Sequence, residues 1–246
     1  MKREIGCNKS ANGTVFGGID SSFNGMFTDE DLVRISTGLG DFYSCTLGDI
    51  SSAYKMLEEK VALYAPLTVE EVIPLIFQVV NEYFGTFDNV KERMKNYPNH
   101  DDVYTKGTSH GKVANLKGKN AGVCVERAML SQNLLRSCGI DSYYKASGII
   151  RNNEKEIHAY NIITLANDEH YIFDATIPTV KDGEITPLIC KIPDYVFDKI
   201  ISPSSSIGYA VSLEHYNPLQ NIEEAIIYDA GHQDEIYISE SSKVIK

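Results

Sequence analysis

The stretch Gly122-Val123-Cys124-Val125-Glu126-Arg127-Ala128, running on to Leu134-Leu135-Arg136-Ser137-Cys138-Gly139-Ile140, decides the fold. It starts where an irregular Lys/Gly/Asn segment gives way to an apolar helical pattern, and Gly139 supplies the stop for a helix over 124–137. Ala128, Leu130 (or Met129), Leu134 and Leu135 form its inward face, while Glu126 and Arg127 read as solvent-facing or helix-capping charges. Three β-patterned segments follow at 142–150, 156–165 and 170–175, the last two joined by the turn Ala166-Asn167-Asp168.

Working outward, residues 1–27 are rich in Gly, Ser and Asn without a sustained period and read as a weakly ordered arm. Residues 28–100 read as a helical N-terminal region packed on the core. Thr28-Asp29-Glu30-Asp31 predicts a capped helix over 28–35. Further helices fall at 47–64 and 68–83, the second opened by Thr68-Val69-Glu70-Glu71 and closed by Gly85. A short helix is predicted at 89–96, followed by an irregular stretch over 98–122, longer than an ordinary connection. The core occupies 101–180. Residues 181–246, broken by Pro187, Pro193, Pro203 and Pro218, read as an extension completing the same domain, with strands at 225–228 and 235–239. Helices, one special helix and then an antiparallel sheet make an α+β fold.

Hydrophobic content of 43% over 246 residues, with 15 Tyr and 9 Phe, is enough to fill one core. A net charge of −11 repels nucleic acid and anionic membrane, so neither is expected as a partner. Lys106, Lys112, Lys117 and Lys119 read as a solvated loop. The five cysteines are odd in number and scattered, without a CxxC pair or Cys/His cluster, which argues against a zinc site or disulfide framework. No glycine-rich phosphate loop follows a strand, so neither metal nor cofactor is implied. Met1-Lys2-Arg3-Glu4-Ile5-Gly6 leads into no apolar leader, and no run approaches the roughly 20 apolar residues of a membrane span. A cytoplasmic location is expected, and export independent of a signal peptide fits the same sequence.

The chemistry rests on Cys124, His158 and Asp174. A cysteine at a helix N-terminus beside an imidazolium ionises more readily than free cysteine, and its thiolate attacks acyl carbons. His158 lies in the strand-like Glu156-Ile157-His158-Ala159-Tyr160, and Asp174 closes Tyr171-Ile172-Phe173-Asp174. If Leu165 pairs with Glu169 across a three-residue loop, Tyr160 faces Asp174 and His158 is the diagonal neighbour on that face. A two-residue loop would put His158 and Asp174 on opposite faces. Asn120 and Tyr104 are candidate oxyanion donors upstream of Cys124. His110 is a rival base, and His170 shares the face of Asp174 in the first register.

These residues resemble the transglutaminase-like superfamily, relatives of papain-type cysteine enzymes. The resemblance lies in Gly122-Val123-Cys124, Leu134-Leu135-Arg136 with Gly139-Ile140, His158-Ala159-Tyr160 and Asp174-Ala175-Thr176, and covers about residues 105–180. It implies a nucleophile helix packed on an antiparallel sheet. By the same resemblance, Cys124 is nucleophile, His158 base and acid, and Asp174 the orienting carboxylate of a thiol-dependent acyl-transfer enzyme. Substrates would be peptide or protein amides, handled by hydrolysis, deamidation or amine transfer. Tyr160 stands where the family usually has Trp, and is a candidate substrate-cleft residue. Two alternatives stand beside this: a non-catalytic binding module on the same fold, and an arylamine N-acetyltransferase-like enzyme. The latter shares the Cys-x-Glu of Cys124-Val125-Glu126 but not the Arg-Gly-Gly that precedes the cysteine there.

Overall fold

A computed structural model describes residues 3–5, 7–9, 15–17, 22–36, 42–85, 110–151, 154–181, 184–203, 205–211, 224–229 and 234–240. The chain is α+β, with two sheets and a central helix. Short strands β1 (Arg3–Ile5), β2 (Cys7–Lys9) and β3 (Val15–Gly17) join β5 (Asp31–Ser36), β6 (Phe42–Thr46) and β7 (His110–Lys112) in one mixed sheet. The other sheet begins with β4 (Ser22–Phe23), which pairs with β8 (Asp141–Arg151). It continues through β9 (Glu154–Thr164), β10 (His170–Lys181) and β11 (Glu184–Ile192) on one side of β8. On the other side lie β12 (Ile207–Val211), β13 (Glu224–Asp229) and β14 (Asp234–Glu240). Its outer strands β11 and β14 approach each other, so the sheet curls. It is not wholly antiparallel, because β12 joins β8 in parallel.

Among the described residues the α-helices are α1 (Ser51–Tyr64), α2 (Val69–Phe84), α3 (Cys124–Ser137) and α4 (Asp194–Ile200). α2 starts where its sequence says it should. Thr68 Oγ1 accepts from the Glu71 N–H at 3.3 Å, and the Glu71 carboxylate accepts from the Thr68 N–H at 2.7 Å, a reciprocal cap of two otherwise orphaned donors. α3 spans the predicted residues, but its surroundings differ from the expectation. Every residue from Val125 to Leu135 is buried, polar ones included. Gln132 Nε2 donates to the carbonyls of Gly25 and Ser142, and the Asn133 amide pairs with both the N–H and the carbonyl of Phe27. Such bonds are what make a polar side chain tolerable in a core.

Several expectations are therefore corrected. Residues 28–35 are not a helix. Asp31 Oδ2 accepts from the Thr28 N–H at 2.8 Å and from its hydroxyl at 3.0 Å, and the Asp31 N–H closes a turn onto the Thr28 carbonyl. The chain then leaves as β5, whose Leu32, Val33 and Ile35 suit a strand paired on both sides. The described part of the N-terminal region 28–100 is thus strand and helix, not helix alone, and α1 starts at Ser51, after a four-residue connection from the end of β6 at Thr46. Residues 1–27, expected as an arm, contribute four strands, and Phe23 and Phe27 are core residues. Residues 181–246 hold β11 to β14, four strands of the second sheet. The helix predicted at 89–96 lies outside the described residues.

Two apolar clusters result. One gathers Phe23, Phe27 and Val33 with α1, α2, α3 and the α3-facing side of β8 to β10. The other fills the inside of the curled sheet with Tyr160, Ile162, Ile172, Leu188, Ile207 and Tyr209, closed by Val196 and Ile200 of α4. Along β9 the alternation sends Ala159 and Ile163 to the first cluster, and Tyr160 and Ile162 to the second. Among the described residues no helix is long and apolar enough to cross a membrane.

Candidate active site

Cys124 is the first residue of α3 and is partly exposed. Its place is set by the end of α2. The Tyr83 and Phe84 carbonyls of that last turn accept from the N–H groups of Gly118 and Ala121, at 2.8 and 3.1 Å. Gly122 then takes φ +94°, and a Cβ there would lie 2.7 Å from the Phe84 ring, so only glycine fits. The first helical bond follows at once, from the Arg127 N–H to the Val123 carbonyl at 3.1 Å.

His158 comes from β9 and Asp174 from β10. The ladder between them pairs His170 with Thr164 through Phe173 with Asn161, and the Leu165 N–H bonds the Glu169 carbonyl at 2.9 Å. This is the register of the three-residue loop. Beyond Phe173 the two strands pair only on their other sides, β9 with β8 and β10 with β11, and β10 carries an irregularity between Asp174 and Pro178. His158 Nε2 lies 2.6 Å from Asp174 Oδ2. Cys124 is near enough to act on the same imidazole, and it is among the groups that raise the His158 pKa.

Asp174 is fully buried and receives four donors. His158 and the Tyr209 hydroxyl reach Oδ2, while the N–H groups of Thr176 and Ile177 reach Oδ1 at 2.6 and 3.3 Å. Burial would raise its pKa, but the His158 charge and these donors hold it below the usual carboxylate value. For His158, burial works to lower the pKa. The Asp174 charge, the Cys124 sulfur and hydrogen bonds to both prevail and raise it to about 10. An imidazolium is therefore the favoured form at neutral pH. Among the described residues, Cys45 and Cys190 are buried in the core, and burial pushes both pKa values up, as it does for Cys138.

Tyr160, expected to line a cleft, is instead 1% exposed. Its ring stacks at 20° to His158, and its hydroxyl meets Ser147 Oγ at 3.1 Å and the Ile207 carbonyl at 3.4 Å, making it a floor beneath the histidine. Asn120 sits at φ +48° with its backbone against Gly85, four residues before Cys124. Tyr104 lies outside the described residues. His110 opens β7 in the other sheet, paired with Ser44. His170 stacks on Phe197 with ring centroids 3.5 Å apart and bonds Thr164 Oγ1. Among the described residues no group of three or more His, Cys, Asp or Glu could hold a metal ion.

Tyr209 was not anticipated from sequence. Its strand is legible in hindsight, since Ile207, Tyr209 and Val211 alternate between Pro203 and Pro218. Nothing local ties that tyrosine to Asp174, 35 residues earlier. Glu126 and Arg127 also differ from expectation, since both are fully buried. Glu126 does act as a cap: its Oε2 accepts from the Val123 N–H at 3.0 Å. Burial pushes its carboxyl up to about 8, against the opposing pull of backbone N–H groups and Arg127.

No protein-family model and no curated protein sequence matches the chain.

Proposed function

We propose that the chain is a thiol-dependent acyl-transfer enzyme of papain/transglutaminase-like architecture, acting on peptide or protein amides through Cys124, His158 and Asp174. The observation that carries this reading is one buried imidazole held by a fixed carboxylate and coupled to a partly exposed thiol. His158 Nε2 lies 2.6 Å from a carboxylate that three further donors fix, and Cys124, partly exposed at a helix N-terminus, is among the groups that raise the His158 pKa. A structural histidine needs neither the ionised partner nor the half-exposed thiol. Together they form a relay in which the imidazole takes the thiol proton as the sulfur attacks and the carboxylate stabilises the resulting imidazolium.

In the first step the Cys124 sulfur attacks the carbonyl carbon. A C–S bond forms and the carbonyl electrons move to oxygen. The Cys124 backbone N–H, at the first helical position, has no intrahelical acceptor and suits that oxyanion. As the tetrahedral species collapses, the imidazolium gives its proton to the leaving nitrogen and the C–N bond breaks. Water or an amine then attacks the thioester, returns a proton to His158 and releases the sulfur. Which of the two arrives is decided by access to the thioester.

A screen of glutamine-containing peptides, with and without an amine acceptor, tests the reading by comparing wild type with Cys124→Ala. Ammonia release or amine incorporation by wild type, lost by a thousandfold or more in Cys124→Ala, is the expected result. Activity that survives in Cys124→Ala would remove the cysteine from the mechanism.

A further inference from the structure

The peptide unit between Gly122 and Val123, immediately before the nucleophile, is gripped at both ends by consecutive side chains. Its N–H, on Val123, donates to Glu126 Oε2 at 3.0 Å. Its carbonyl, on Gly122, accepts from Arg127 Nε at 3.2 Å. Both side chains are fully buried at the first turn of α3. Arg127 is itself anchored to α2: its Nη1 donates to Asn81 Oδ1 at 2.9 Å, and its guanidinium lies 5.3 Å from the centroid of the Phe84 ring. The same Phe84 ring backs Gly122.

A carboxyl and a guanidinium are costly to bury, and a cap alone could be supplied by an exposed Ser, Thr or Asp at the N-cap position. What the buried pair adds is orientation. A trans peptide directs its N–H and C=O oppositely, so holding both ends fixes its plane, and Cys124 follows one residue later. We propose that Glu126 and Arg127 are positioning residues that lock the Gly122–Val123 peptide and thereby hold the Cys124 sulfur against His158. The proposal rests on the reading of Cys124 as the nucleophile. Neither residue touches substrate in it. Their effect is on how much of the time the sulfur sits beside the imidazole.

The test is the rate of Cys124 alkylation by iodoacetamide at mildly acidic pH, read with melting curves for each variant. Glu126→Gln keeps an oxygen that can accept from Val123 and should label within about threefold of wild type. Glu126→Leu keeps buried volume but removes the acceptor, and Asn81→Ala, at a half-buried position, removes the hydrogen bond that ties Arg127 to α2. Each should slow Cys124 by about tenfold or more while melting cooperatively, as expected when a reacting atom drifts by about an ångström. A wild-type rate in whichever of these two variants is folded overturns the proposal. Should wild-type Cys124 react no faster than the other cysteines, the nucleophile reading falls, and this one with it.

Discussion

Asp174 shows how one residue can be made to serve another. With Tyr209 and His158 on one oxygen and two backbone N–H groups on the other, its carboxylate has little freedom to rotate or to accept a proton. The consequence for His158 is measurable. Its folded pKa of about 10 stands above the ordinary histidine value of 6.5. The stability this contributes is therefore fully present below about pH 6.5 and is lost as pH rises through the folded value. The stability gap between wild type and His158→Gln, from urea melts, should narrow steadily from pH 6.5 toward pH 10; a gap that widens over that range would contradict the ion pair. At this scale the sequence was informative for Cys124, His158 and Asp174, because each carries chemistry in its type and spacing. It was silent on Tyr209, whose role depends on a contact across 35 residues. It misjudged Tyr160, because an aromatic on a strand can face the interior as easily as a cleft.

Elements were legible where a local signal agreed with the surroundings. α3 and the capping box of α2 stand where the sequence puts them, and the β9–β10 hairpin takes one of the two registers its loop allows. The helix expected at 28–35 failed because Thr28 and Asp31 bond each other in a turn as readily as they cap a helix, and only pairing with β1 and β6 decides between the two. β11, hidden behind Pro187, is a further case, since the interrupting proline sits within a strand next to the irregularity in β10. β12 carries its own testable constraint. A Cβ on Gly208 would lie 1.8 Å from the Gly148 carbonyl oxygen, so β12 can approach β8 only with glycine there. Gly208→Ala should cost about 1–3 kcal/mol in chemical denaturation. Its larger effect should be on Cys124 reactivity, because the shift moves the neighbouring Tyr209 off Asp174. A variant as stable and as reactive as wild type would show that β12 is free to move.

Across the whole molecule, Phe23 and Phe27 near the N-terminus belong to the same core as α3. Phe23 and Phe27 pack with ring centroids 4.7 Å apart, Phe27 meets Tyr144 edge-on at 5.2 Å, and the Asn133 amide holds the Phe27 backbone from α3. Composition could not reveal this, because a Gly/Ser/Asn-rich segment with three phenylalanines looks alike whether it is loose or pinned. Phe27→Ala should cost about 3–5 kcal/mol in urea melts, the range for a large aromatic removed from a packed core. A cost below 1 kcal/mol would return residues 22–27 to the status of an arm. The net charge of −11 is likewise a property of the whole chain and is consistent with the proposed preference for peptide or protein partners over polyanions.

Whether Cys124 and His158 work as a pair is measured directly by competitive labelling of the five cysteines with iodoacetamide near pH 6. Cys124 should react at least about tenfold faster than any other cysteine, and His158→Ala should abolish the advantage while leaving the remaining four unchanged. Equal, slow labelling of all five, or an advantage that persists without His158, would contradict that pairing.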